Sequence, residues 1–145
     1  MDSVHYQENR TEKSIFGRLI KGVFLLLTSL GLYLFARDFP IYTVFEPQSA
    51  GWIFWVSWAN NLILPFAFYF FLCLGERWLK TWQVRALIAF AIPVLLEFGQ
   101  LFYYRFSMDS YIGSFDPWDI VMEFIAVGVA VLIERMVFAK LFKNW

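Results

Sequence analysis

Residues 97–128 read EFGQLFYYRFSMDSYIGSFDPWDIVMEFIAVG, which is two apolar runs joined by a short polar link. Glu97 and Glu123 stand inside the apolar runs, and Asp116 and Asp119 follow the link. A charge in the hydrocarbon of a membrane costs roughly 2.5–3.5 kcal/mol on insertion scales. A sequence rarely carries two such residues so close together without a use for them. The stretch therefore predicts two neighbouring helices that share a polar functional site.

The composition indicates lipid as the solvent. Of 145 residues, 60% are hydrophobic and only 17% are charged, and a soluble domain of this size cannot bury that much apolar surface. Twelve basic and twelve acidic residues balance, so no basic excess indicates a nucleic-acid partner. The single cysteine, Cys73, can form no internal disulfide, and no Cys/His spacing is typical of a metal site. We expect a membrane protein without a metal or other cofactor.

Four apolar runs are each close to the length of about 20 residues that a helix needs to cross a bilayer core. They cover residues 19–36, 51–74, 84–104 and 118–138. The first run has basic residues before it, as a signal peptide does, but no convincing cleavage site follows, which favours an uncleaved anchor. Backbone polar groups in lipid must be paired within their own segment. The sequence therefore predicts an all-α, antiparallel four-helix membrane domain over 19–145, preceded by a polar tail over 1–18.

The lysines and arginines predict the orientation. Ten of the twelve lie in the amino-terminal segment through Lys21, the 75–85 link and the carboxyl end, and only Arg37 and Arg105 lie in the other two links. Such a bias is typical of cytoplasmic segments. Both termini are therefore predicted to be cytoplasmic, and the polar site to lie in the outer half of the membrane.

The start of the fourth helix has a local signature. Asp116 precedes Pro117, and Asp119 follows two residues later. An acid before a proline at the first helical position is typical of a helix amino terminus. A cap and a favourable helix-dipole contact explain Asp116 and Asp119 as well as a functional role does, but they do not explain Glu97 or Glu123.

The candidate site collects polar groups from three helices. Gln100 shares a helical face with Glu97, and Asn60 and Asn61 descend to a similar depth, where they serve either helix packing or the site. Such a cluster suits a cation, an amine or a polar headgroup, and neighbouring carboxylates disfavour joint ionisation. No nucleophile–base pair and no membrane histidine is present, so no catalytic residue is assigned and an enzyme is disfavoured. The predicted ligand-binding residues are Glu97, Gln100, Asp116, Asp119, Glu123, Asn60, Asn61 and Arg105.

The pair Glu97 and Gln100, followed by GSFDPWDIV with Asp116 and Asp119, resembles the pattern of the VanZ-like family of small bacterial membrane proteins. That pattern has Glu-x-x-Gln near the end of one helix, then phenylalanine–aspartate, then an aspartate at the start of the next helix. Upstream, NLILPFAFY agrees with the family at Phe66 and Tyr69. The resemblance covers roughly residues 55–135.

Four departures accompany the resemblance. Asn61 and Pro65 stand where the family has an aspartate and a histidine, the family's arginine falls at Gly113, and its asparagine falls at Glu123. The resemblance implies a multi-pass protein of the bacterial plasma membrane and the cell envelope. The family is named for a protein linked to low-level resistance to a glycopeptide antibiotic, and the resemblance supplies no reaction.

These observations lead to one hypothesis and three alternatives. The hypothesis is a protein that binds an envelope lipid or amphiphile at an outward-facing acidic site. The alternatives are a small proton-coupled transporter, an enzyme that modifies a lipid headgroup, and an assembly subunit whose acids only pack helices. Membrane lipids are the expected partners, and association into a homo-oligomer is left open.

Overall fold

The structure is a computed structural model that describes the backbone of residues 2–107 and 116–141 and the side chains of residues 16–102 and 116–140. Every element in these residues is helical, which confirms the all-α class. The elements are α1 (Asp2–Asp38), α2 (Ile41–Val44), α3 (Ala50–Phe54), α4 (Asn60–Leu74), α5 (Trp82–Ser107), α6 (Pro117–Ile133) and α7 (Ala139–Leu141).

Three helical segments of the described chain are long and apolar enough to cross a membrane: Phe16–Asp38, Ala50–Leu74 and Trp82–Phe102. They correspond to the first three predicted runs. The fourth run contains α6, which has 17 residues and continues through a π-helical turn, Glu134–Phe138, into α7. The protein is thus a helical membrane protein.

Helix α1 differs from the prediction because it begins at Asp2 rather than near residue 19. The predicted polar tail is therefore helical in the structure and continuous with the first apolar run. The physical reason is that no glycine or proline occurs before Gly17, so no residue there breaks the helix.

A second π-helical turn, Trp55–Ala59, joins α3 to α4. Pro65 lies further along the same helix, and a proline usually disturbs a helix because it lacks an N–H donor. In the structure Pro65 is buried inside the α-helix, and the π-helical turn lies upstream of it. The segment begins at Ser49, whose side chain caps it by accepting a hydrogen bond of 3.3 Å from the Trp52 amide.

Helix α4 lies at the centre, packed against α1, α5 and α6, while α5 also packs against α6. Lys21, near the start of the apolar part of α1, pairs with Glu76 just after α4, and at the other end the Phe35 and Trp55 rings meet edge to face at 5.4 Å. These contacts place α1 and α4 in opposite directions. Arg85 near the start of α5 contacts Glu134 just after α6, so those helices also run in opposite directions.

The buried core is small and the apolar surface is large. Tyr69, Phe70 and Cys73 of α4 pack with Leu25 and Ala130 in the core. Large apolar side chains elsewhere face outward; Leu95 and Phe124, for example, are each 67% exposed. A soluble monomer rarely shows such a surface, whereas lipid covers it without penalty.

Candidate functional site

Two buried carboxylates lie on neighbouring helices, as the sequence predicts. Glu97 of α5 is 9% exposed and Glu123 of α6 is 2% exposed. In each, Oε2 is buried and has no hydrogen-bond partner among the described residues. Glu123 interacts electrostatically with Glu97 and with Asp119. The structure therefore brings together acids from both sides of the link, and we call Glu97, Asp119 and Glu123 the acidic cluster.

Helix α4 adds one amide to the acidic cluster. The Asn61 side chain lies close enough to Asp119, at the start of α6, to interact with its carboxylate. Asn60, its neighbour in the chain, is exposed, and in the described part of the protein it makes no hydrogen bond with the acids. The two asparagines, which the sequence could not tell apart, therefore differ: Asn61 belongs to the cluster and Asn60 does not.

Asp116 is confirmed as the N-cap of α6. Its Oδ1 accepts a hydrogen bond of 3.0 Å from the Trp118 amide, and Pro117 follows as the first helical residue. Asp116 also lies close enough to Glu97 and Asp119 to repel their negative charge. Asp116 thus caps α6 and also adds negative charge beside the acidic cluster.

The two other predicted residues lie on α5. Gln100 is half-buried one turn after Glu97 but shares no hydrogen bond with the acids among the described side chains. The Arg105 side chain lies outside the described residues, although its backbone belongs to α5.

The acidic cluster lacks a resident cation in the described part of the protein, because the charged neighbours of its three members are themselves carboxylates. Ionised carboxylates only accept hydrogen bonds. Nor do the described residues include three acids, histidines or cysteines close enough to hold a metal ion. A group that brings both positive charge and hydrogen-bond donors is therefore the best chemical match.

A second buried carboxylate site, at the opposite end of the helices, was not predicted. In the sequence Glu134 stands beside Arg135, which is typical of an interfacial residue, but the structure buries Glu134 at 3% exposure. Arg85 Nη2 donates to Glu134 Oε1 at 2.5 Å, and the Tyr69 hydroxyl donates to Glu134 Oε2. Adjacent residues of a helix do not face one another, so the spacing alone indicated that the partner of Glu134 was not Arg135.

Lys21 is a further buried charge at this end of the molecule. It is 5% exposed and pairs with Glu76, which follows α4. This pair and the Arg85–Glu134 pair lie beside the same cavity.

The cavity has a volume of about 1200 Å³ and opens between the middle of α1, the end of α4, the start of α5 and the end of α6. Among the described residues that line it, six are basic and two are acidic. Its lining consists of Arg18, Lys21, Gly22, Leu25, Cys73, Leu74, Glu76, Arg77, Lys80, Thr81, Trp82, Gln83, Arg85, Glu134, Arg135 and Ala139. We call it the basic cavity.

The comparisons with known proteins give no relative: no family model, no curated protein and no solved structure matches the chain. The VanZ-like resemblance therefore rests on the sequence motifs in residues 61–69 and 97–119 and stays a prediction.

Proposed function

We propose that this is a four-span, VanZ-like protein of the bacterial inner membrane, with both termini in the cytoplasm, that binds an amine-bearing envelope amphiphile at the acidic cluster. The observation that carries the proposal is the pair of buried and unpartnered carboxylate oxygens, Glu97 Oε2 and Glu123 Oε2.

The topology is supported by the length and direction of the helices. Residues 117–141 are helical throughout and reach about 35 Å at 1.5 Å per residue, which suffices for a hydrocarbon core of about 30 Å. The basic cavity collects six cationic side chains at one end of the helices. By the positive-inside bias this end is cytoplasmic, and the acidic cluster then faces the outer leaflet.

The depth of the acidic cluster suits a lipid headgroup rather than a solute in bulk water. Glu123 lies six residues into α6 and Glu97 ten residues before the end of α5, so they lie about 9 Å and 15 Å along their helices. A headgroup ammonium reaching this depth would supply donors to both free oxygens. It would also offset the repulsion among the three acids, which is costly in a medium of low polarity.

The test is native mass spectrometry of the purified protein equilibrated with phosphatidylethanolamine or phosphatidylcholine. The first lipid has an ammonium with N–H donors, and the second has the same charge without them. Wild type should retain phosphatidylethanolamine in preference to phosphatidylcholine. The Glu97→Gln/Asp119→Asn variant should retain about tenfold less phosphatidylethanolamine than wild type, as expected for a lost charge-assisted hydrogen bond.

A charge-matched control is available at the end of α1 and in the link that follows it. Asp38→Asn/Glu46→Gln removes the same two charges from exposed positions and should retain the lipid as wild type does. Equal retention by wild type and by Glu97→Gln/Asp119→Asn would exclude the acidic cluster as the binding site. Equal loss in both double variants would show a nonspecific charge effect.

Proton-coupled transport is a second candidate, favoured by the interaction between the buried Glu97 and Glu123. Two such carboxylates resist ionising together, so a cationic substrate would displace a proton. Efflux of a cationic dye from proteoliposomes should then depend on a pH gradient in wild type and be lost in Glu123→Gln. Efflux that is absent in wild type would exclude this candidate.

A further inference from the structure

We propose that the basic cavity is a second binding site, which takes a phosphate-bearing anion from the cytoplasmic side. The proposal concerns the end of the molecule opposite the acidic cluster and does not depend on what the acidic cluster binds.

The cations of the cavity come from separate parts of the chain. Arg18 and Lys21 belong to α1, Arg77 and Lys80 to the link after α4, Arg85 to α5, and Arg135 to the π-helical turn after α6. A topological bias alone would place such residues anywhere at the cytoplasmic surface. Here the fold gathers them around one concavity of about 1200 Å³, which is large enough for a phosphorylated headgroup or a small phosphorylated compound.

The two carboxylates of the cavity do not neutralise this charge. Glu76 is paired with Lys21, and Glu134 with Arg85. Neither Arg77 nor Lys80 forms an ion pair with any described side chain. Arg135 lies over the Trp82 ring, 5.3 Å from its centroid, which orients the guanidinium without using its N–H donors. Arg77 and Lys80 therefore leave positive charge in the cavity lining that no carboxylate among the described residues neutralises.

Arg85 provides an independent sign of a missing acceptor. It is 6% exposed, and its Nη1 and Nη2 donate to Leu79 and Glu134. Its Nε is buried and has no acceptor in the described part of the chain. A buried donor of a charged group is costly to leave unpaired, and a ligand oxygen in the cavity would satisfy it. Phosphate groups are usually bound by arginine guanidinium groups, which donate two parallel hydrogen bonds, together with lysine ammonium groups.

The ligand has two sources with the same chemistry: the headgroup of an inner-leaflet lipid or a soluble phosphorylated compound. The experiment therefore uses two probes on the full-length protein in nanodiscs of phosphatidylcholine. Binding of inorganic pyrophosphate is measured by calorimetric titration. Binding of phosphatidic acid is measured by native mass spectrometry, with this lipid added at about 10 mol% so that the surface charge of the membrane stays modest. Pyrophosphate binding without phosphatidic acid enrichment identifies a soluble ligand, and phosphatidic acid enrichment identifies a lipid.

The variants separate the cavity from general surface charge. Lys80→Gln and Lys140→Gln each remove one exposed lysine near the same end of the molecule, but only Lys80 lines the cavity. Lys80→Gln should weaken binding of the successful probe by about threefold to tenfold, and Arg77→Gln/Lys80→Gln by at least about tenfold, in proportion to the lost phosphate contacts. Lys140→Gln should stay within about twofold of wild type, as screened surface charges do. Failure of wild type to bind either probe, or equal losses in Lys80→Gln and Lys140→Gln, would overturn the proposal.

Discussion

The Tyr69 hydroxyl donates a hydrogen bond to Glu134 Oε2, while Arg85 holds the other oxygen of the same carboxylate. One buried carboxylate thus connects α4, α5 and the π-helical turn after α6. Networks of this kind are costly when incomplete and rigid when satisfied. The Tyr69–Glu134–Arg85 network therefore fixes the relative positions of three helices beside the basic cavity.

Removing the Tyr69 hydroxyl should destabilise the protein. Tyr69→Phe keeps the ring but leaves Glu134 Oε2 buried without this donor, which costs about 1–3 kcal/mol of the free energy of unfolding. Unfolding by sodium dodecyl sulfate in mixed micelles measures the change. Tyr42→Phe is the matched control, since Tyr42 is 76% exposed, and it should unfold as wild type does. A Tyr69→Phe variant as stable as wild type would show that the hydrogen bond contributes nothing.

The Arg85–Glu134 pair should show strong coupling in a double-mutant cycle. Arg85→Met leaves a buried negative charge and Glu134→Gln leaves a buried positive charge, and breaking a buried pair in this way costs about 3–5 kcal/mol. The double variant contains neither orphaned charge, and its glutamine can still accept from Tyr69. It should therefore be much less destabilised than the sum of the single variants, by the same unfolding measurement.

The exposed pair Arg37–Asp38, with side chains 58% exposed, is the control for that cycle. The changes in the free energy of unfolding caused by Arg37→Met and Asp38→Asn should add without measurable coupling, because water screens such a pair. Additive losses at Arg85 and Glu134 would mean that the two charges are stabilised independently of one another.

The parts of the structure that the sequence predicted depend on local signals. The Asp116 cap joins atoms only two residues apart, and the acidic cluster follows from two helices joined by a short link. Hydropathy marks the apolar runs because lipid requires about 20 apolar residues per span. These signals need no knowledge of how distant segments pack.

The parts that the sequence did not predict depend on distant pairs. Tyr69 and Glu134 are 65 residues apart, and Lys21 and Glu76 are 55 apart. In the sequence Glu134 stands beside Arg135, which suggests a solvated pair, whereas the fold turns it toward Arg85, 49 residues away. The basic cavity is missed for the same reason, since its described lining comes from three separate stretches of the sequence, 18–25, 73–85 and 134–139.

Replacement by alanine should have different effects on stability at two helical glycines, Gly51 and Gly31. A Cβ on Gly51 would lie 2.5 Å from Phe45 Cε1, whereas a Cβ on Gly31 would meet nothing within 4 Å. The Phe45 ring borders Phe39, which stacks on Trp55 with centroids 3.7 Å apart. Displacing Phe45 therefore disturbs the aromatic contacts between α1 and the start of the second membrane segment.

Gly51→Ala should lower the free energy of unfolding by about 1–3 kcal/mol, the usual cost of overpacking. Gly31→Ala should leave it unchanged or raise it by up to about 1 kcal/mol, because alanine favours helix over glycine. Phe45→Leu combined with Gly51→Ala should recover part of the loss, since the smaller side chain relieves the clash. If Gly51→Ala and Gly31→Ala were equally stable, Phe45 would be free to move aside, and the aromatic contacts at this end would not hold α1 to its neighbour.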